Sequence, residues 1–169
     1  MLYGTMSYVS NEGKILMIQK IERENDPNSG FYTLPGGKLK DSERGLNPVG
    51  RLESAIRETK EETGLTIINP KLRGIILFDN SERIFDNWSN PEDYLVYIIT
   101  ANNYTGKLKK ESDEGIPVWV KENEIINVSK NRGDGKMYEW INNERCFTGT
   151  IKYKGRVLDE SGTFVDYFI

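Results

Sequence analysis

The sequence predicts an α/β (α+β) domain, and three observations carry that expectation. Apolar runs of strand length recur along the chain, as in Ile15-Leu16-Met17-Ile18 and Gly74-Ile75-Ile76-Leu77-Phe78. Between them lie segments with helical periodicity, one ending at a glycine. Leu, Ile, Val and Phe together supply about a quarter of the 169 residues at a net charge of −3, enough for a packed core. No repeat or linker divides residues 1–169, so a single domain is expected.

The elements follow in order. Leu2 to Val9 is rich in β-formers, Asn11-Glu12-Gly13 is a turn signal, and Lys14 to Ile21 resumes as a strand. A polar loop from Arg23 to Gly30 leads to a short strand, Phe31 to Leu34, and then to Pro35-Gly36-Gly37. Arg51 to Thr63 reads as a helix stopped by Gly64, a natural left-handed terminator. Leu72 to Phe78 and Tyr94 to Ala101 are apolar strands, and Asp79 to Asp93 between them is expected to be a loop carrying Trp88. Pro117 to Val120 is a strand, followed by a helical turn around Lys121 to Ile126. Met137, Trp140 and Ile141 stand at i, i+3 and i+4, which predicts a helix over Lys136 to Asn143. Gly149 to Tyr153 and Thr163 to Ile169 are expected to pair around Lys154-Gly155.

Composition excludes several chemistries. With no His, neither a His general base nor a His-ligated metal is available, and the lone Cys146 cannot form an internal disulfide. A pI near 5.2 gives no basic footprint for polymeric nucleic acid, and no apolar run approaches a bilayer crossing. The opening residues lack the pattern of a secretory signal, so a cytoplasmic location is expected. A polyanionic ligand would have to be neutralised by something other than surplus Lys and Arg, and a divalent metal is the usual means.

The most informative segment is Arg57-Glu58-Thr59-Lys60-Glu61-Glu62-Thr63-Gly64-Leu65. Leu52, Ala55, Ile56 and Thr59 form one helical stripe, the face expected against the core. Glu58, Glu61 and Glu62 share a neighbouring face, where like charges destabilise a helix by a few tenths of a kcal/mol per pair. A Glu-rich solvated face accounts for such a cluster taken alone. Converging carboxylates are also what the hard, oxygen-seeking ions Mg²⁺ and Mn²⁺ require.

In context, Gly37, five residues, Glu43, and then Arg57-Glu58-x-x-Glu61-Glu62-x-Gly64-Leu65 resembles the Nudix box. Thr59 stands at a position the family fills with an apolar residue. Thirteen residues separate Glu43 from Arg57 where the family carries seven, so six residues are inserted within Arg44 to Gly50. Counted back from Arg57, the family's Glu position is occupied by Val49, and whether Glu43 still reaches the helix is left open. The resemblance implies an α/β/α sandwich with a mixed sheet, binding Mg²⁺ or Mn²⁺ and hydrolysing nucleoside diphosphates linked to another moiety. It implies metal coordination by the Gly36 carbonyl and by Glu58, Glu61 and Glu62. Arg57 would orient the carboxylates, with Glu61 or Glu62 as the base.

Outside the box, Gly106-Lys107-Leu108-x-x-Glu111-Ser112-Asp113-Glu114-x-x-Pro117-x-Trp119 is similar to the MutT-type oxidised-purine triphosphatases. That likeness implies Glu111 as a further metal ligand and places Thr5, Lys20 and Thr33 at the nucleotide pocket. Thr33 stands where relatives carry Asn. Before the last helix the group places a Trp followed by acidic residues; here only Asp134 remains, and it reads first as a helix cap and second as a contact to a purine edge. Trp88 is a candidate stacking face, whereas Trp119 and Trp140 are expected in the core. The implied activity is a Mg²⁺-dependent pyrophosphohydrolase converting a nucleoside triphosphate of the 8-oxo-dGTP type to monophosphate and pyrophosphate. ADP-ribose or another nucleoside diphosphate derivative is the alternative substrate, and a catalytically inactive nucleotide sensor is the alternative class. The expected partner is a small nucleotide, with neither membrane nor polymeric nucleic acid, and the protein is expected as a monomer or homodimer.

Overall fold

The computed structural model describes residues 1–22, 24, 30–45, 49–84, 92–129 and 132–168. β1 (Leu2–Asn11) turns through Glu12 and Gly13, both with positive φ, into β2 (Lys14–Lys20). The two strands pair only near the turn, at Ser10 with Ile15 and Asn11 with Lys14. Beyond it they part. β3 (Tyr32–Thr33) then lies along β2, and β4 (Gly36–Lys38) lies along β1. The Ser7 N–H donates to the Pro35 carbonyl at 2.8 Å, fixing the chain between β3 and β4. The glycine pair is thereby brought to the opening between the parted strands.

A 3-10 turn, Asp41–Glu43, precedes α1 (Gly50–Thr63), which ends at Gly64 with φ 83°. β5 (Leu65–Ile67), β6 (Lys71–Arg83), β7 (Tyr94–Ala101), β8 (Tyr104–Gly106) and β9 (Gly115–Lys121) follow. A second 3-10 turn, Glu122–Glu124, runs into α2 (Ile125–Val128), and α3 (Arg132–Asn142) comes next. β10 (Cys146–Gly155), β11 (Val157–Leu158) and β12 (Phe164–Phe168) close the chain. The sheet runs β11-β10-β6-β7-β1-β2-β3, with β12 beside β10, β4 beside β1 and β9 beside β2. β1 with β7 and β6 with β10 are parallel and the other pairings antiparallel, so the sheet is mixed.

Alternation along β7 divides the core. Val96 and Ile98 join Met137, Tyr138, Trp140 and Ile141 of α3 and Phe147 and Ile151 of β10 on one face. Ile99 and Ala101 join Ala55 of α1, with Leu16, Leu65 and Ile67, on the other. The predicted stripe of α1 faces inward: Ala55 and Thr59 are fully buried, and Leu52 and Ile56 pack beside them. Thr59 at the apolar position is satisfied because its hydroxyl donates to Ser7 Oγ at 2.9 Å. Helices on both faces of a mixed sheet form the expected sandwich.

Several boundaries differ from expectation. β6 runs on to Arg83, so its upper end is strand where a loop from Asp79 is predicted. The β5–β8 pair has no counterpart in the sequence reading, since three-residue strands give little periodicity. β10 starts at Cys146 and pairs with β12 and β11 along its length. α3 begins at Arg132, four residues early, through Gly133 and Gly135. Trp140 is core as expected, and Trp119 packs against the α1-side cluster. Trp88 falls within residues 85–91, outside the described residues. No helix among the described residues is long and apolar enough to cross a membrane.

Candidate active site

The two box glycines are required by close approach. A Cβ on Gly36 would collide with the carbonyl oxygen of Thr5, so only glycine lets β4 lie this close to β1. A Cβ on Gly37 would stand 2.6–2.8 Å from the carboxylate atoms of Glu58. The glycine turn and α1 therefore form a cradle in which the Glu58 carboxylate occupies the space a side chain would fill.

Arg57 is the knot of the site. Its Nε and Nη2 donate to Oε1 and Oε2 of Glu43 at 2.8 and 3.0 Å, a bidentate pair. Its Nη1 donates to Glu58 Oε1 at 2.6 Å and to Glu61 Oε2 at 3.3 Å. The guanidinium holds the Glu43 carboxyl below the usual range, and Glu43 in turn raises the Arg57 pKa. Glu43 Oε2 also accepts the Lys40 N–H at 2.7 Å. The insertion after Glu43 therefore does not remove it from the helix. The extra residues leave from Arg44 and return at Val49, and Gly50 lies against the Glu43 backbone with no room for a side chain.

Glu62 faces inward, 5% exposed, and accepts the Gly36 N–H at 3.0 Å. Burial pushes its carboxyl up to about 7, opposed by that hydrogen bond and by Lys20, and reinforced by Glu58 and Glu114. Glu61 is largely in solvent. Tyr94, raised to about 12 chiefly by burial, also feels Glu58 and Glu62, so its phenol edges the same carboxylates.

Glu111 is exposed and makes no hydrogen bond or ion pair among the described residues. The loop acid that reaches the site is Glu114, whose Oε2 lies 2.9 Å from Lys20 Nζ and whose charge acts on Glu62. A tight turn aims it: Ser112 and Gly115 exchange backbone hydrogen bonds, and Gly115 pairs opposite Lys20. Its place follows from the register of β9 against β2, a pairing between distant segments that the sequence pattern does not give.

The other candidates separate. Lys20 stands beside the carboxylates. Thr33 pairs with Ile18 on β2, two positions from Lys20 and by strand alternation on its face; its buried Oγ1 has no hydrogen-bond partner among the described residues. Thr5 has no exposed surface and its hydroxyl lies 3.4 Å from Ser54 Oγ, so it packs α1 onto β1 with no surface open to a ligand. Asp134 is not the helix cap, since α3 starts two residues before it. Its charge acts on Arg83, Tyr138 and Tyr153, on the sheet face away from α1.

Among the described residues no three acidic groups converge into a metal cage, because Arg57 draws Glu58 and Glu61 to itself and Gly36 holds Glu62. The donors nevertheless suit a hard divalent ion: carboxylate oxygens on one helix face, beside a glycine cradle, around a buried carboxyl short of countercharge.

A NUDIX domain family model matches residues 3–141. The uncharacterised Nudix hydrolase YvcI of Bacillus subtilis (strain 168) is 31% identical over 152 residues, covering 88% of this chain and 85% of that protein. The crystal structure of the mutator MutT protein from Bacillus halodurans superposes with TM-score 0.73 at 25% identity, over 99% of this chain and 97% of that one. The NUDIX domain of Shewanella oneidensis NrtR, solved with ADP ribose, shares the fold with TM-score 0.64 at 14% identity, over 85% of this chain and 87% of that one. A mixed sheet clasped by helices, with three glutamates and an arginine on the helix beside a glycine turn, defines a phosphoanhydride hydrolase of the MutT type. The chain belongs to the Nudix hydrolase family, whose members act on nucleoside diphosphate derivatives and generally use divalent metal ions.

Proposed function

We propose that the protein is a Mg²⁺- or Mn²⁺-dependent pyrophosphohydrolase of nucleoside triphosphates, acting on an oxidised purine nucleotide of the 8-oxo-dGTP type and releasing monophosphate and pyrophosphate. The observation that carries the reading is the Arg57 knot: one guanidinium holds Glu43, Glu58 and Glu61 in register beside Glu62 and the Gly36-Gly37 cradle. Likeness along nearly the full length of a MutT protein supports the substrate class.

Glu58, Glu61, Glu62 and the Gly36 carbonyl would hold the ion, with Glu114 taking the loop role first given to Glu111. When bound, the ion supplies neutralisation of the charge developing on the phosphoryl oxygens. Glu62 is the stronger candidate for accepting the proton of the attacking water, at its carboxylate oxygen beside the Gly36 N–H. It is buried beside that donor, whereas Glu61 stands in solvent. Lys20 would meet a phosphate, Thr33, whose hydroxyl has no hydrogen-bond partner among the described residues, would meet the nucleoside, and Asp134 would contact a base that reaches the α3 face.

The test is a nucleotide panel with Mg²⁺ that includes 8-oxo-dGTP, dGTP and ADP-ribose, with product identified by phosphorus NMR. Pyrophosphate release with selectivity for the oxidised purine supports the reading. Preference for ADP-ribose selects the alternative substrate. No turnover of any nucleotide, with no metal-dependent thermal shift, selects a binding module.

A further inference from the structure

The 2.9 Å ion pair between Lys20 and Glu114 spans the edge of the carboxylate cluster, and both members act electrostatically on Glu62. Its two charges are of the kinds the site's two ligands need: a carboxylate for a divalent cation and an ammonium for a polyphosphate. Glu114 sits on the turn closed by Ser112 and Gly115, and Gly115 pairs opposite Lys20 at the end of β2, so the backbone holds the two residues side by side whether or not their side chains pair. The Lys20 side chain is 17% exposed and that of Glu114 46%, so solvent reaches both members of the pair.

We propose that this ion pair is a latch coupling the two ligands: a divalent cation that takes Glu114 frees Lys20 for a phosphate, and a phosphate that takes Lys20 frees Glu114 for the cation. The inference rests on the function proposed above. The energetic argument is linkage. Separating the pair opposes whichever ligand arrives first and no longer opposes the second, so each tightens the other by the same factor. A partly exposed pair is worth up to about 1 kcal/mol, which sets the expected coupling at about three- to fivefold.

The experiment measures Mn²⁺ affinity calorimetrically, without nucleotide, for wild type, Lys20→Met, Glu114→Gln and the double variant. A latch makes Mn²⁺ bind about three- to fivefold tighter to Lys20→Met than to wild type. The gain disappears in the Glu114→Gln background, because no carboxylate remains to be freed. Lys20→Arg, which keeps the ion pair, binds Mn²⁺ as wild type does, and Lys20→Gln replaces Lys20→Met if circular dichroism shows the latter misfolded. Inorganic pyrophosphate tightens Mn²⁺ binding more in wild type than in Lys20→Met. An equal gain in both backgrounds is general charge repulsion, and no gain leaves only a bridge holding the turn to β2; either overturns the latch while the function stands. Absence of Mn²⁺ binding to wild type overturns both.

Discussion

Glu62 makes stability and metal affinity depend on pH in a definite direction. Its carboxyl titrates near 7 in the folded, metal-free protein against an ordinary 4.5. Between those values the folded state holds the extra proton, so stability falls as pH rises through the window. The burial cost is fully expressed above pH 7, at roughly 3 kcal/mol. Chemical denaturation in chelator at pH 5 and pH 8 is expected to show Glu62→Gln relatively more stable at pH 8, and Mn²⁺ is expected to raise Tm more at pH 8 than at pH 6. The knot gives a second expectation at this scale. Arg57→Lys keeps the charge but cannot span Glu43, Glu58 and Glu61 together, so kcat/KM for the preferred nucleotide should fall by about 10–100-fold with little change in Tm. Arg57 and the helix glutamates were singled out by the resemblance of their spacing to the Nudix box, since the cluster taken alone reads equally as a solvated face. Glu114 and the docking of Glu43 were not, because each depends on a strand end or turn that local pattern does not orient.

The glycine turn separates two kinds of damage within one element. Gly36→Ala drives a methyl into the Thr5 carbonyl, backbone against backbone, and should destabilise by about 1–3 kcal/mol as β4 lifts from β1. Gly37→Ala meets the Glu58 carboxylate first, a side chain that can swing aside. It should leave Tm nearly unchanged while weakening Mn²⁺ binding by about tenfold or more. Thermal melts and calorimetry on the two variants check the contrast. The middles of the long elements were readable because periodicity accumulates with length, whereas β6 and β10 run past their expected ends. α1 differs from expectation by one residue at its start, and β7 matches its predicted span. α3 was read short because Gly133 and Gly135 argue against helix locally; close packing of Gly133 on Ile151 and Tyr153 of β10 overrides that preference.

Across the whole molecule the sheet divides labour. The α1 face carries the acidic site, and the α3 face carries the larger core, in which Trp140 rests on Gly149 of β10. Trp140→Ala should therefore cost about 3–5 kcal/mol in denaturant unfolding while leaving KM near wild type at temperatures where the protein stays folded. The fold class was accessible because each strand and helix advertises its buried side. Strand order was not, since it follows from pairings between distant segments. The clamp at Glu43 has one more implication. Because that residue is moored to Arg57 and its backbone abuts Gly50, the detour between them begins and ends at one closed stem, much as a side street leaves and rejoins the same crossroads. A short epitope spliced between Gly45 and Val49 is therefore expected to be carried without loss of turnover, making this the natural attachment point for a label or tether.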